Sequence, residues 1–235
     1  MICEKYFITF ASENFIEAGN RLTNQANGIG VFDKIIFYSE KYLKVDNLFW
    51  DKHATFIENN KRGYGYWLWK PYLIQKTMKS MKDGDILLYL DSGCEIDINK
   101  KEQMLINFDI VKNDYILISK CSYEIEFNKM DLVMKLDMNN PIYLNSFQHQ
   151  AGAILFLVCD KTRKLVDEWY ELGCDYKNID DTPSINNYSW FIEHRHDQAI
   201  FSLLTKKYNL YSKQHDITSS VEYIRNNTGI SRLHR

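Results

Sequence analysis

The chain has 235 residues, 45% of them hydrophobic and 14% aromatic, which is enough to bury one sizeable core. Its 29 lysines and arginines against 31 aspartates and glutamates leave no cationic excess for a nucleic acid or another polyanion. No run of about 18 apolar residues is present, which argues against a membrane-spanning helix.

The chain opens on "MICEKYFITF", which lacks an apolar stretch behind a basic start and so does not read as a signal peptide. "KYFITF" (5–10) is the first strand candidate, and a segment with helical period follows over 13–25. "KIIFY" (34–38) is the second strand. Further on, "RGYG" (62–65) reads as a flexible aromatic approach to a helix whose apolar residues are Trp67, Pro71, Ile74, Met78 and Met81. Pro71 suits the first helical turn, where its missing N–H is unpaired anyway, and Asp83–Gly84 stops the helix. Lys70 then lies at the helix N-terminus, where cations and free N–H groups attract phosphate. On spacing alone, Trp67 and Trp69 read as core and Lys70 as a surface charge. The third strand, "DILLYL" (85–90), runs into Asp91. "YILIS" (115–119) and "GAILFLV" (152–158) complete the strand set, and helical periods recur over 161–173 and 195–207. Short apolar strands alternating with helices predict a three-layer α/β/α, Rossmann-like domain around a mainly parallel sheet.

The five cysteines (Cys3, Cys94, Cys121, Cys159, Cys174) are odd in number and lack metal-type spacing, as expected of a reduced, cytoplasmic protein. The one local charge excess, Arg225, Arg232 and Arg235, reads as a solvated tail.

Three stretches carry candidate chemistry. Asp91 ends the most apolar strand, where ligands of α/β sheets bind, and small Ser92 and Gly93 leave room for a phosphate. Its carboxylate suits magnesium or manganese shared with a diphosphate, with Glu95 or Asp97 as a second acid; a turn cap is the competing reading. In "HQAGAILFLV" (149–158), Gly152 marks either close approach of a ligand or a bulge. In "WFIEHRHDQAIFSLL" (190–204), His194, Arg195, His196, Asp197 and Gln198 read as the lining of a polar cleft at a helix head. Histidines at i and i+2 do not share a helix face, so they do not read as a zinc pair. No glycine follows the first strand in "ITFASENF", which disfavours a dinucleotide fold or P-loop, and no Gly-x-Ser-x-Gly elbow is present.

In this order, the segments resemble the nucleotide-sugar glycosyltransferases of GT-A fold, from about residue 5 to residue 216. The pattern is nearest to glycogenin-like enzymes and to small viral and bacterial polysaccharide glycosyltransferases. "YLDSG" (89–93) resembles the family's Asp-x-Asp metal motif, "HQAGAILF" its Asn-x-Gly strand and "HDQAIFSLL" its Asp-Gln helix. The resemblance implies a glycosyltransferase moving a sugar from a UDP-sugar, or less readily a GDP-sugar, to a glycan hydroxyl, with Mn2+ or Mg2+ as cofactor. It implies a single domain over 1–235, with a nucleotide part to about 120 and an acceptor part beyond. Asp91, with Glu95 and His215, would hold the metal. Thr9, Phe10 and Ala11 would border the base, Lys70 would approach the phosphates or the donor sugar, and Tyr64, Ser92 and Gly93 would join the donor-binding site. Gln150 and Gly152 would touch the donor sugar, and Asp197 with Gln198 would lie near the anomeric carbon. The sequence departs from the family at Gly93, which replaces the second acid, and at His149–Gln150, where the Asn is missing. A catalytically inactive nucleotide-sugar or glycan-binding module on the same fold, and a nucleotidyltransferase, are the alternatives.

Overall fold

In a computed structural model, which describes residues 3–233, a five-stranded sheet carries helices on both faces. The elements are β1 (Lys5–Ala11), α1 (Ile16–Ile29), β2 (Lys34–Ser39), α2 (Glu40–Val45), α3 (Asn47–Asn59), α4 (Gly63–Tyr66), α5 (Trp69–Lys79), β3 (Ile86–Asp91), β4 (Glu95–Ile96), α6 (Lys101–Asp114), β5 (Ile116–Tyr123), α7 (Glu124–Phe127), α8 (Met130–Lys135), α9 (Pro141–Leu144), β6 (Phe147–Leu157), α10 (Asp160–Cys174), α11 (His196–Lys207) and β7 (Val221–Glu222). The strand order is β2-β1-β3-β6-β5. β1 runs parallel to β2 and β3, whereas β6 runs antiparallel to β3 and β5, so four of the five strands point one way. The three-layer, mainly parallel α/β architecture expected from the sequence is the one observed.

The apolar runs are continuous because successive side chains enter opposite cores. In β3, Ile86, Leu88 and Leu90 join Phe7, Leu22, Met104 and Phe108 beneath α1 and α6. Leu87 and Tyr89 join Ile8, Leu73, Trp169 and Ile200 beneath α5, α10 and α11. The chain leaves β1 through α1 on one face and returns to β3 from α5 on the other. The crevice between the carboxyl ends of β1 and β3, where Phe10 is level with Asp91, is therefore a topological switch point.

β6 starts five residues before the expected strand. Its polar first half hid it from a pattern reading, because those side chains are buried against partners distant in sequence. Gln148 donates to Glu124 at 3.1 Å, and His149 meets Thr205 at 2.8 Å. The reversal of β6 brings this half to the end of the sheet that carries Asp91, since Leu90 pairs with Ala153.

The C-terminal segment is no solvated tail. β7 pairs with β4, and residues 221–232 form a strap across the 91–95 loop; Arg235 lies outside the described residues. All five cysteines are free thiols, and among the described residues no helix is long and apolar enough to cross a membrane.

Candidate functional site

β3 delivers Asp91 to the switch point with its side chain 30% exposed. Its Oδ1 accepts from the Tyr89 hydroxyl at 2.5 Å and lies 3.3 Å from Lys70 Nζ. The turn after it is closed by backbone, Cys94 N donating to Asp91 O at 2.9 Å, so the carboxylate is not spent on a cap.

Lys70 is not the surface charge that its spacing suggests. It is 3% exposed, and Nζ bridges Asp91 to Asp197 Oδ2 at 3.0 Å. The hydrophobic period missed this because α5 is buried nearly all round, from Trp69 through Ile74. Burial disfavours the Lys70 ammonium, yet Asp197 and Asp91 outweigh it and the pKa rises. Burial lifts the Asp197 carboxyl to about 6; Lys70 opposes that rise and the like charge of Asp91 adds to it.

The backbone around this cluster is strained. Gly63, Tyr64, Gly65, Tyr66 and Trp67 all have positive φ, between 52° and 84°. α4 is thus a left-handed turn, closed by Tyr66 N to Arg62 O at 2.8 Å and Trp67 N to Gly63 O at 3.1 Å. Each non-glycine residue there costs about 1–2 kcal/mol. "RGYG" is accordingly a defined turn rather than a flexible approach. Aromatic packing offsets the strain. The Tyr64 ring lies 6.0 Å from Phe10, and the rings of Tyr66 and Trp67 stack on His196 at 4.8 and 5.4 Å. His196, itself at φ 50°, also meets the Ile179 carbonyl at 2.7 Å. Strain concentrated beside a buried charge cluster is the pattern of a positioned site. Here it fixes the residue before Asp197 and the turn before Lys70.

The other expected site residues divide into three groups. Thr9, Phe10 and Ala11 are buried; the Thr9 hydroxyl donates to Leu90 O at 2.8 Å, and Phe10 packs 3.9 Å from Trp69. Only the end of their strand, not their side chains, borders the crevice. Gln150 lies on β6 and Gln198 on α11, which packs against β6, and each has its own partners. Gln150 accepts from the Ser119 hydroxyl, while Gln198 donates to Gln148 at 2.6 Å and accepts from Ala151 N at 3.3 Å. His194 and His196 do not line a polar cleft: both are buried, and His194 is bound to Asn178 O at 2.8 Å.

The third group is the 91–95 loop, which is crossed by the strap. Gly93 O accepts from Asn226 N at 2.7 Å, and a Cβ on Gly93 would sit 3.2 Å from Arg225 Cα. Gly152 lies directly under the Tyr223 phenol, which a Cβ there would overlap. Arg21 fastens loop to strap, donating to Ser92 O, Cys94 O and Asn226 O at 2.9 Å each, and to Thr228 O. The buried Glu95 carboxylate receives Gln25, Asn226, Ser231 and the Arg232 N–H. Burial opposes its ionisation, but these donors hold its pKa at about 2. Asp97 accepts from Asn99 N at 2.9 Å at the head of a short helix.

A divalent metal does not fit these residues. Asp91 offers one carboxylate oxygen beyond Lys70 and Tyr89, and the loop carbonyls and Glu95 are occupied by strap, Arg21 and Gln25. His215 is exposed, three residues beyond Ser212, whose N–H bonds Ile116 O at the opposite end of the sheet from Asp91. Among the described residues no group of three His, Cys, Asp or Glu side chains is placed to hold a metal.

Tyr89, Gln148, Arg21, Tyr223 and Arg225 were not singled out by the sequence as site residues. Only Tyr89 carried a readable signal, standing two residues before Asp91 on one strand face.

No family model matches the chain, and no curated protein matches it. Among solved structures, it is similar to apo mouse xyloside xylosyltransferase 1, with 13% identity, 88% of this chain and 84% of that chain covered, and a TM-score of 0.46. It is also similar to galactosyltransferase LgtC in complex with donor and acceptor sugar analogues, with 16% identity, 96% and 84% covered, and a TM-score of 0.44. A third is described as a mannose-6-phosphate isomerase from Helicobacter pylori, with 13% identity, 74% and 79% covered, and a TM-score of 0.39. At these TM-scores the likenesses carry no inference about what the chain does.

Proposed function

We propose that the protein is a glycosyltransferase that moves a sugar from a nucleotide-sugar donor to a hydroxyl of a glycan acceptor. The observation that carries this reading is the buried Asp91–Lys70–Asp197 cluster at the β1/β3 switch point, with its distances of 3.3 and 3.0 Å. An α/β sheet that places two acids and an ammonium there, supported by strained backbone, has the character of a ligand site rather than of a core.

The surroundings suit a sugar. Asp91 presents an exposed carboxylate edge to the crevice, and the half-buried Gln150 and Gln198 supply amides that both donate and accept, as hydroxyl groups require. In the transfer, the acceptor oxygen bonds to the anomeric carbon as the bond from that carbon to the diphosphate oxygen breaks. The electron pair leaves with the diphosphate, and the proton of the acceptor hydroxyl passes to the released diphosphate oxygen or to water. Asp197, with a pKa of about 6, is ionised at neutral pH and fixes Lys70 beside Asp91. On the acceptor side, Tyr123 and Phe147 stack at 4.8 Å and are exposed at the same end of the sheet, with Trp190 and Ile192 also exposed. Aromatic faces of this kind pack against the C–H faces of pyranose rings.

A panel of nucleotide sugars tests the reading by thermal shift and by donor hydrolysis. One donor is expected to stabilise the chain and to be hydrolysed slowly, with both effects lost in Asp91→Asn. Absence of stabilisation by every nucleotide sugar would refute it. Binding without turnover, whatever the acceptor, would instead identify a non-catalytic binding module, the reading that the missing acid at Gly93 favours.

A further inference from the structure

In a nucleotide-sugar transferase, charge must be neutralised on the diphosphate, and the 91–95 loop is not built to do this with a metal. Apart from Asp91 Oδ2, the oxygens that could bind one are already engaged. Asp91 Oδ1 takes Lys70 and Tyr89, Ser92 O and Cys94 O take Arg21, Gly93 O takes Asn226 N–H, and Glu95 takes Gln25, Asn226, Ser231 and Arg232 N. The place of a second acid is filled by backbone of the strap, for Arg225 Cα would lie 3.2 Å from a Cβ at position 93. A side chain at 93 would press on the strap, glycine leaves it room, and the loop has no second carboxylate to offer there.

The strap brings a cation of its own. Arg225 is exposed, and among the described residues it has neither an ion pair nor a hydrogen bond. It holds a left-handed backbone, φ 48°, at the point where the strap crosses Gly93. A non-glycine residue kept in that conformation, close over Gly93, is held there by the contacts on either side: Tyr223 on Gly152 and Asn226 on Gly93. Of the neighbouring cations, Lys70 is committed to its two acids and Arg21 to four carbonyls. Arg232 is exposed at the other end of the strap, where its N–H meets Glu95, whereas Arg225 stands over Gly93 with a guanidinium left for a ligand, and its planar fork matches phosphate oxygens.

We infer that the strap 221–232 is a wall of the donor site, and that Arg225, rather than a resident divalent metal, holds the donor's diphosphate. This rests on the nucleotide-sugar reading above. Lys70 keeps the two acids beneath the diphosphate from repelling it, and Tyr223, packed on Gly152, closes the wall on the sugar side. The ligand class is a nucleoside diphosphate bound without metal.

The test is calorimetric titration of UDP and GDP into the full chain, once in EDTA and once in Mn2+. Binding in EDTA is expected to lie within about threefold of that in Mn2+. Arg225→Ala is expected to weaken it about tenfold, or about 1.4 kcal/mol, with partial recovery in Arg225→Lys. The thermal midpoint of the free protein should be unchanged in both variants, because the side chain is exposed. Binding that appears only with Mn2+ overturns the inference and leaves the nucleotide-sugar reading standing. Unaltered affinity in Arg225→Ala overturns it as well. Failure of both nucleotides to bind under either condition overturns the inference and the reading together.

Discussion

The charge state of Asp197 is the most exposed point of the site's electrostatics, and Asp197→Asn probes it directly. The carboxyl titrates at about 6 in the folded chain against 3.8 in an ordinary environment, with burial as the main cause. Between those pH values the folded state holds a proton that the unfolded chain has lost, so this group's contribution to stability falls as pH rises from about 4 to about 6 and is flat above. The interval corresponds to about 3 kcal/mol. Asparagine keeps the shape and removes the titration. The stability of Asp197→Asn relative to wild type is therefore expected to improve by about 3 kcal/mol between pH 4 and pH 7. The variant starts from a deficit, because Lys70 keeps only Asp91. Breaking one arm of a buried ion pair costs about 3–5 kcal/mol at worst. Buried His53, His149 and His194, held neutral at about 4, 2 and 3, add a pH dependence of opposite sign, but it is common to both proteins and cancels in the difference. Urea unfolding of both proteins at four pH values across this range gives the difference. A gap that stays constant, or that widens as pH rises, would refute the argument and place the Asp197 pKa at or below its ordinary value.

Three further changes address the scaffold. Gly152→Ala puts a methyl group into the Tyr223 phenol, so the strap should lift at a cost of about 1–3 kcal/mol, read as faster proteolysis within 221–232. Glu95→Gln removes the charge that gathers Asn226, Ser231 and Arg232 N, and should free the strap in the same assay. Since the Glu95 pKa is depressed to about 2, its contribution is present above about 4.5 and is lost as pH falls towards 2; the effect of the substitution should fade in acid. Gly65→Ala forces a side chain to φ 84° with its Cβ 2.6 Å from Ile57 Cγ1, and should lower the thermal midpoint through about 1–2 kcal/mol of backbone strain plus the clash.

The legible part of the candidate site was its location. Asp91 stands at the end of an unbroken apolar run, and Asp197 heads an apolar helix, patterns that survive without coordinates. Their shared partner did not announce itself. Lys70 sits in a helix buried on most sides, where the apolar period that would mark an inward face is lost, and a lone lysine reads as solvated. The left-handed turn before it was equally hidden: glycines at 63 and 65 permit positive φ, but Tyr64, Tyr66 and Trp67 adopt it only because Phe10 and His196 supply ring contacts from distant segments.

What the sequence determined by itself was the alternation of buried strands and helices, and hence the layers, because side-chain period and chain length dictate which faces must be covered. What only the tertiary structure decided was the direction of β6 and the course of residues 221–232. Both depend on polar groups that carry no periodicity and are satisfied across long separations: Gln148 by Glu124, Glu95 by Asn226, Arg21 by the strap's carbonyls. A local pattern cannot report a hydrogen bond whose partner lies 24, 131 or 205 residues away. For the same reason, the glycine that looked like a lost metal ligand is, in the folded chain, the space in which Arg225 is seated.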